Sequence, residues 1–118
     1  MNADANIEAV LIALRRVTRA VDLHSKHLMK TSGLTAPQML ILQTLRDHGD
    51  AIISDIAKQV SLSQATVTSI IDRLEKRQLV VRERSSQDKR KVFACLTDEG
   101  AEIIRNAPTP LQEYFKRQ

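Results

Sequence analysis

The sequence predicts a mainly α, α+β domain in which several helices lead into a short β-hairpin. Three observations carry that expectation. Apolar residues recur at three- and four-residue spacing through the chain up to Arg77. Two strand-like runs, Leu79 to Arg84 and Val92 to Leu96, then flank a polar, basic segment. Apolar residues make up 42% of the 118, which suits one folded domain with a modest core rather than disorder.

The first helix is expected from residue 6 to about 30. Ile7, Val10, Leu11, Leu14, Val17, Val21 and Leu28 form a seam close to a seven-residue repeat. Such a seam suits another long helix, of the same chain or of a second copy. Gly33 ends the segment. Thr35-Ala-Pro-Gln38 reads as a capping box with proline in the first turn, and the helix it starts runs to about Asp47. Gly49-Asp50 makes a turn, and residues 51 to 53 form a short extended piece. Ser54 is expected to cap a third, short helix carrying Ile56, Ala57 and Val60.

Ser61-Leu-Ser63 is a tight break with a second capping serine. The next helix runs from Gln64 to about Arg77, so two short helices meet across a few residues, the helix-turn-helix pattern. Residues 79 to 84 and 92 to 96 read as the strands of a hairpin. Thr97 caps a last helix whose first turn carries Asp98 and Glu99. Pro108 and Pro110 interrupt it, and residues 111 to 118 begin another helix. The order helix, helix, strand, helix, helix, strand, wing, strand, helix is a winged helix-turn-helix.

Charge is concentrated in one place. Residues 73 to 91 hold eight basic and three acidic side chains, net +5, while the whole chain is +4. The remainder is therefore net −1. A clustered basic patch is the footprint of a polyanion partner, although a solvated charged face is its plain alternative. Aromatics amount to 3%, which disfavours single-strand binding by base stacking. One cysteine, Cys95, excludes an internal disulfide and fits a reducing compartment. No signal pattern opens the chain, and Ala9–Leu14 is far too short an apolar run to span a bilayer. A cytoplasmic protein with no membrane partner is expected.

In the helix from Gln64, Val67, Ile70, Ile71 and Leu74 fall at i, i+3, i+4 and i+7 and should be buried. Its first turns are small and polar. That lets Ser63, Gln64, Thr66, Thr68 and Ser69 approach base edges in a major groove, with the helix N-terminus favouring a phosphate. Basic residues between Arg73 and Arg84, including Lys76, read as phosphate anchors. In the wing, Asp88, Lys89, Arg90 and Lys91 follow one another. Arg90 can enter a minor groove. Asp88 would repel phosphate unless it orients an arginine such as Arg90.

The chain resembles the MarR family of winged-helix transcriptional regulators. Thr66-Val-Thr-Ser-Ile-Ile-Asp-Arg-Leu74 is similar to the family's recognition helix. Residues 88 to 100 are similar to its wing signature, Asp-x-Arg followed by a strand ending Leu-Thr-x-x-Gly. The likeness covers roughly residues 30 to 105. It implies a homodimer on a pseudo-palindromic double-stranded operator, with Arg90 in the minor groove and the helix from Ser63 in the major groove. It also implies one domain over 1–118, with residues 1–32 and 98–118 as a helical dimerisation region and 33–97 as the DNA-binding lobe. A small-molecule effector would sit between the first two helices and the lobe and shift the spacing of the two recognition helices. Two departures stand out. Gln78 occupies a position where the family often has glycine. Members usually continue through a long C-terminal helical pair; with this chain ending at Gln118, either part of that pair is missing or the dimer is built mainly from the first helix.

Other candidate sites are weaker. His24 and His27 lie one turn apart near Asp22, but no further ligand is close in sequence, so no metal is assigned. Cys95 reads as an inert strand residue rather than a redox sensor. No nucleophile–base pair, phosphate loop or paired carboxylates appear, so neither catalytic residues nor a cofactor are expected. A winged-helix module that binds protein rather than DNA is the competing reading. The net +5 segment argues against it.

Overall fold

The computed structural model describes residues 3–106. The expectations for residues 107 to 118 lie outside the described residues. Two compact units emerge, one holding the N-terminal helix and the other beginning at Leu34. Among the described residues, no helix is long and apolar enough to cross a membrane.

The first unit contains α1 (Ala3–Ser32). It starts earlier than its apolar spacing required and runs two residues past the expected end. Gly33, at φ 71°, closes it by donating its N–H to the Met29 carbonyl at 2.8 Å. The seam is exposed from Ile7 to Val21, with Ile7 and Val10 each 58% accessible and Leu14 56%, whereas its last member, Leu28, is buried.

The second unit contains α2 (Ala36–His48), β1 (Ala51–Ile52), α3 (Ile53–Val60), α4 (Gln64–Lys76), β2 (Val80–Arg84), β3 (Val92–Leu96) and α5 (Asp98–Arg105). The capping box at α2 forms as the sequence indicates. Thr35 Oγ1 accepts the Gln38 N–H, and Gln38 Oε1 accepts the Thr35 N–H at 2.9 Å. Thr97 caps α5 with its hydroxyl alone, accepting the Gly100 N–H at 3.0 Å. The sheet is antiparallel in the order β1-β3-β2.

The start of α3 corrects the expected cap. Ile52, not Ser54, is the N-cap residue, and no side chain caps the helix. Ile52 pairs with Phe93 in the sheet, so the chain passes directly from strand to helix. Ser54 is thereby carried inside the first turn. At its other end α3 turns through Ser61 at φ 58°, a left-handed residue that makes the tight break before α4.

Ile41 and Leu42 of α2, Ile56 of α3, Val67, Ile71 and Leu74 of α4, and Val80 and Ala94 of the sheet are all 0% exposed. Burying each of the valine, leucine and isoleucine side chains among them stabilises the fold by roughly 1.5–3 kcal/mol. Ile70, expected on the same buried face of α4, is only half-buried.

The C-terminus of α4 is a Schellman turn. The Gln78 N–H reaches the Glu75 carbonyl at 2.9 Å, and the Leu79 N–H reaches the Leu74 carbonyl at 3.0 Å. Gln78 itself sits at φ 63°, the conformation glycine adopts most easily. The Leu-Thr-x-x-Gly pattern acquires its physical meaning here. Thr97 donates its hydroxyl to the Gln78 carbonyl at 2.7 Å and its N–H to the Leu79 carbonyl at 3.1 Å. Gly100 packs against that same Leu79 carbonyl, leaving no room for a side chain.

Candidate nucleic-acid interface

The helix-turn-helix and the wing belong to one lobe, and the sequence-predicted site residues divide between them. Ser63 is the N-cap of α4. Its hydroxyl accepts the Thr66 N–H at 3.1 Å and lies 2.8 Å from Thr66 Oγ1. Gln64, Thr66 and Ser69 are exposed along the first turns, whereas Thr68 is half-buried beside Val67. The helix therefore presents a small, polar N-terminal surface with its positive dipole end uncovered. Further along, Arg73 and Lys76 are exposed.

The wing is held by its own polar groups. Ser85 Oγ accepts the N–H groups of Gln87 and Asp88, each at 3.2 Å. Ser85 donates its N–H to the Lys91 carbonyl, and Lys91 donates its own to the Asp88 carbonyl, both at 2.9 Å. The Arg84 guanidinium donates to the Lys89 carbonyl across the loop. Lys89 and Lys91 remain exposed at the turn.

Asp88 orients Arg90 as the sequence reading requires. Arg90 Nε and Nη2 reach the two carboxylate oxygens at 3.1 and 3.3 Å, and the Arg90 N–H reaches Oδ1 at 3.1 Å. These hydrogen bonds hold the Asp88 carboxyl below its ordinary pKa. The Arg90 side chain is nevertheless 91% exposed. It is an aimed cation with its outer surface open to a ligand.

Arg82 departs from the expectation set for the basic run. Its guanidinium faces α4 and is bound by Asp72 and Glu75 at 2.7 and 2.8 Å. These two carboxylates and Ser85 were not singled out from the sequence. The available signal was an acidic pair three residues apart on the recognition helix, followed by an arginine in the next strand.

Cys95 is buried in the central strand, and burial, reinforced by Asp50, pushes its thiol up to about 11. Among the described residues, no three His, Cys, Asp or Glu side chains gather as metal ligands.

Comparison with known proteins decides what kind of lobe this is. The MarR family model matches residues 34–92, the span from two residues before α2 to the first residue of β3. The chain belongs to the MarR family. YsmB of Bacillus subtilis, a helix-turn-helix transcriptional regulator, is 32% identical over 104 residues, covering 88% of this chain and 71% of YsmB. The B. subtilis repressor MdtR is 29% identical, covering 84% and 64% respectively. This MarR-family chain thus spans about two thirds of such relatives' length. AbsC, a MarR family regulator from Streptomyces coelicolor, superposes with a TM-score of 0.79 at 28% identity over 89% of this chain and 72% of AbsC. Sco3205 from the same organism, solved in complex with DNA, has a TM-score of 0.85 at 24% identity, over 99% of this chain and 74% of its own, and shares the fold.

Proposed function

We propose that this MarR-family chain is a homodimeric, sequence-specific regulator of transcription that binds a pseudo-palindromic operator in double-stranded DNA. The observation that carries the reading is the pairing on one lobe of an open, polar helix N-terminus with an arginine 91% exposed and aimed by Asp88. Ser63, Gln64, Thr66, Thr68 and Ser69 read or approach base edges in the major groove. Arg73, Lys76, Arg84, Lys89 and Lys91 neutralise phosphates, and Arg90 enters the minor groove. The exposed part of the α1 seam, from Ile7 to Val21, supports self-association, with residues 1–32 and 98–118 assigned to dimerisation and residues 33–97 to DNA binding. The protein works in the cytoplasm as a binding protein without a catalytic site.

The reading extends to repression and release by a small molecule. MdtR is a repressor. Two structural relatives support ligand control: BpsR of Bordetella bronchiseptica, whose DNA binding is regulated by 6-hydroxynicotinic acid, and PcaV, solved with its natural ligand.

The test is a DNA titration across a salt series. Log affinity should fall linearly with log salt, by about 0.9 per phosphate neutralised. Arg90→Ala should weaken binding about tenfold or more on A·T-rich flanks while the fold persists. Wild-type protein that shows no salt-dependent DNA binding would remove the reading.

A further inference from the structure

Arg82 is the basic residue of the +5 segment least available to a ligand. Nη1 reaches Asp72 Oδ1 at 2.7 Å, while Nη2 and Nε reach Glu75 Oε1 at 2.8 and 3.2 Å. The second oxygen of Glu75 accepts the backbone N–H of Arg82 at 3.2 Å. All three guanidinium nitrogens thus point into α4. The side chain is 30% exposed, against 91% for Arg90. These hydrogen bonds lower the Glu75 pKa and raise that of Arg82, as a mutually supporting pair requires.

We propose that Arg82 is a positioning residue: through Asp72 and Glu75 it fastens wing strand β2 to recognition helix α4. It thereby sets their separation before DNA arrives. The inference rests on the DNA-binding reading for its consequence, but the fastening itself belongs to the free protein. Beyond the direct chain connection through residues 77–79, the fork ties helix to strand through polar groups. A planar guanidinium suits this task because it meets two carboxylates at fixed angles, which an ammonium cannot do.

Positioning and simple electrostatics predict opposite signs for one variant. Asp72→Asn combined with Glu75→Gln removes two negative charges and frees a cation while conserving shape. If charge alone mattered, DNA binding would tighten and its salt dependence would steepen. If the fork positions the wing, binding weakens because a loosened wing must be ordered on contact.

The experiment uses a duplex selected by the wild-type protein from a random pool, with affinity measured across a salt series. Alongside it, amide exchange is followed in the DNA-free protein. The double variant should bind about tenfold more weakly with an unchanged salt slope. The wing amides of Ser85 and Lys91 should exchange faster. Arg82→Lys should fall between wild type and Arg82→Ala, since one ammonium satisfies only part of the fork. Tighter binding by the double variant, a slope steeper by about 0.9, or unchanged wing exchange would each overturn the inference. A wild-type protein that selects no duplex would instead refute the DNA-binding reading, and the exchange result would still judge the fastening.

Discussion

Replacing Gln78 with glycine should stabilise this protein. Gln78 holds a φ of 63° so that the chain can leave α4 through a Schellman turn and enter β2. An L-residue in that left-handed region carries a steric cost of roughly 1–2 kcal/mol, which glycine does not. Glycine also gives the unfolded chain more freedom, which offsets about 0.4–1 kcal/mol of the gain. The Gln78 side chain is exposed, so its removal forfeits no core packing. The Gln78 carbonyl that accepts the Thr97 hydroxyl is backbone and survives the change. A net gain of about 0.5–1 kcal/mol remains, equivalent to roughly 2–8 °C in Tm for a domain near 100 residues. Thermal and urea melts at matched protein concentration would measure it, with Gln78→Ala as control. Alanine keeps the β-carbon and should bring little or no gain. A glycine variant no more stable than the alanine variant would refute the argument.

Gly100→Ala should destabilise by about 1–3 kcal/mol in a urea melt, because the new methyl meets the Leu79 backbone carbonyl and stands 2.8 Å from Leu96 Cδ1. Cys95 should resist alkylation at pH 8 in the native protein and react readily only near its raised value of about 11 or after unfolding. The carboxyls of Glu75 and Asp88, both depressed by arginine, should titrate below ordinary glutamate and aspartate in an NMR pH series. Depressed folded values mean their contribution is fully present above the unfolded pKa of about 4 and is lost as pH falls through the folded values. Wing order should therefore persist at pH 5 and fail only in stronger acid.

Much of the fold was legible where its cause is local. The Thr35 and Thr97 caps, the Ser63 start of α4 and the Asp88–Arg90 pair each depend on residues two or three apart, and sequence spacing exposes them. Ser54 was misread because its local context resembles a cap. What moved the helix start to Ile53 was the pairing of Ile52 with Phe93, 41 positions away. Arg82 was misread for a related reason. Its basic character is plain in the sequence, but its partners lie seven and ten residues back across a helix-to-strand turn. Gln78 shows the converse: comparison with the family pattern drew attention to the position, and the backbone angle explains why glycine suits it.

The sheet also bears on how the protein behaves when crowded. Open strand edges recruit other chains by backbone pairing. Here β1 offers only two residues, and β2 carries Arg82, Glu83 and Arg84 in succession. Glu75 occupies one of the outward backbone donors of β2. Both margins are therefore poor templates for an incoming strand. The lobe can be concentrated, and can meet other copies of itself along a crowded duplex, with little tendency to grow into a larger sheet.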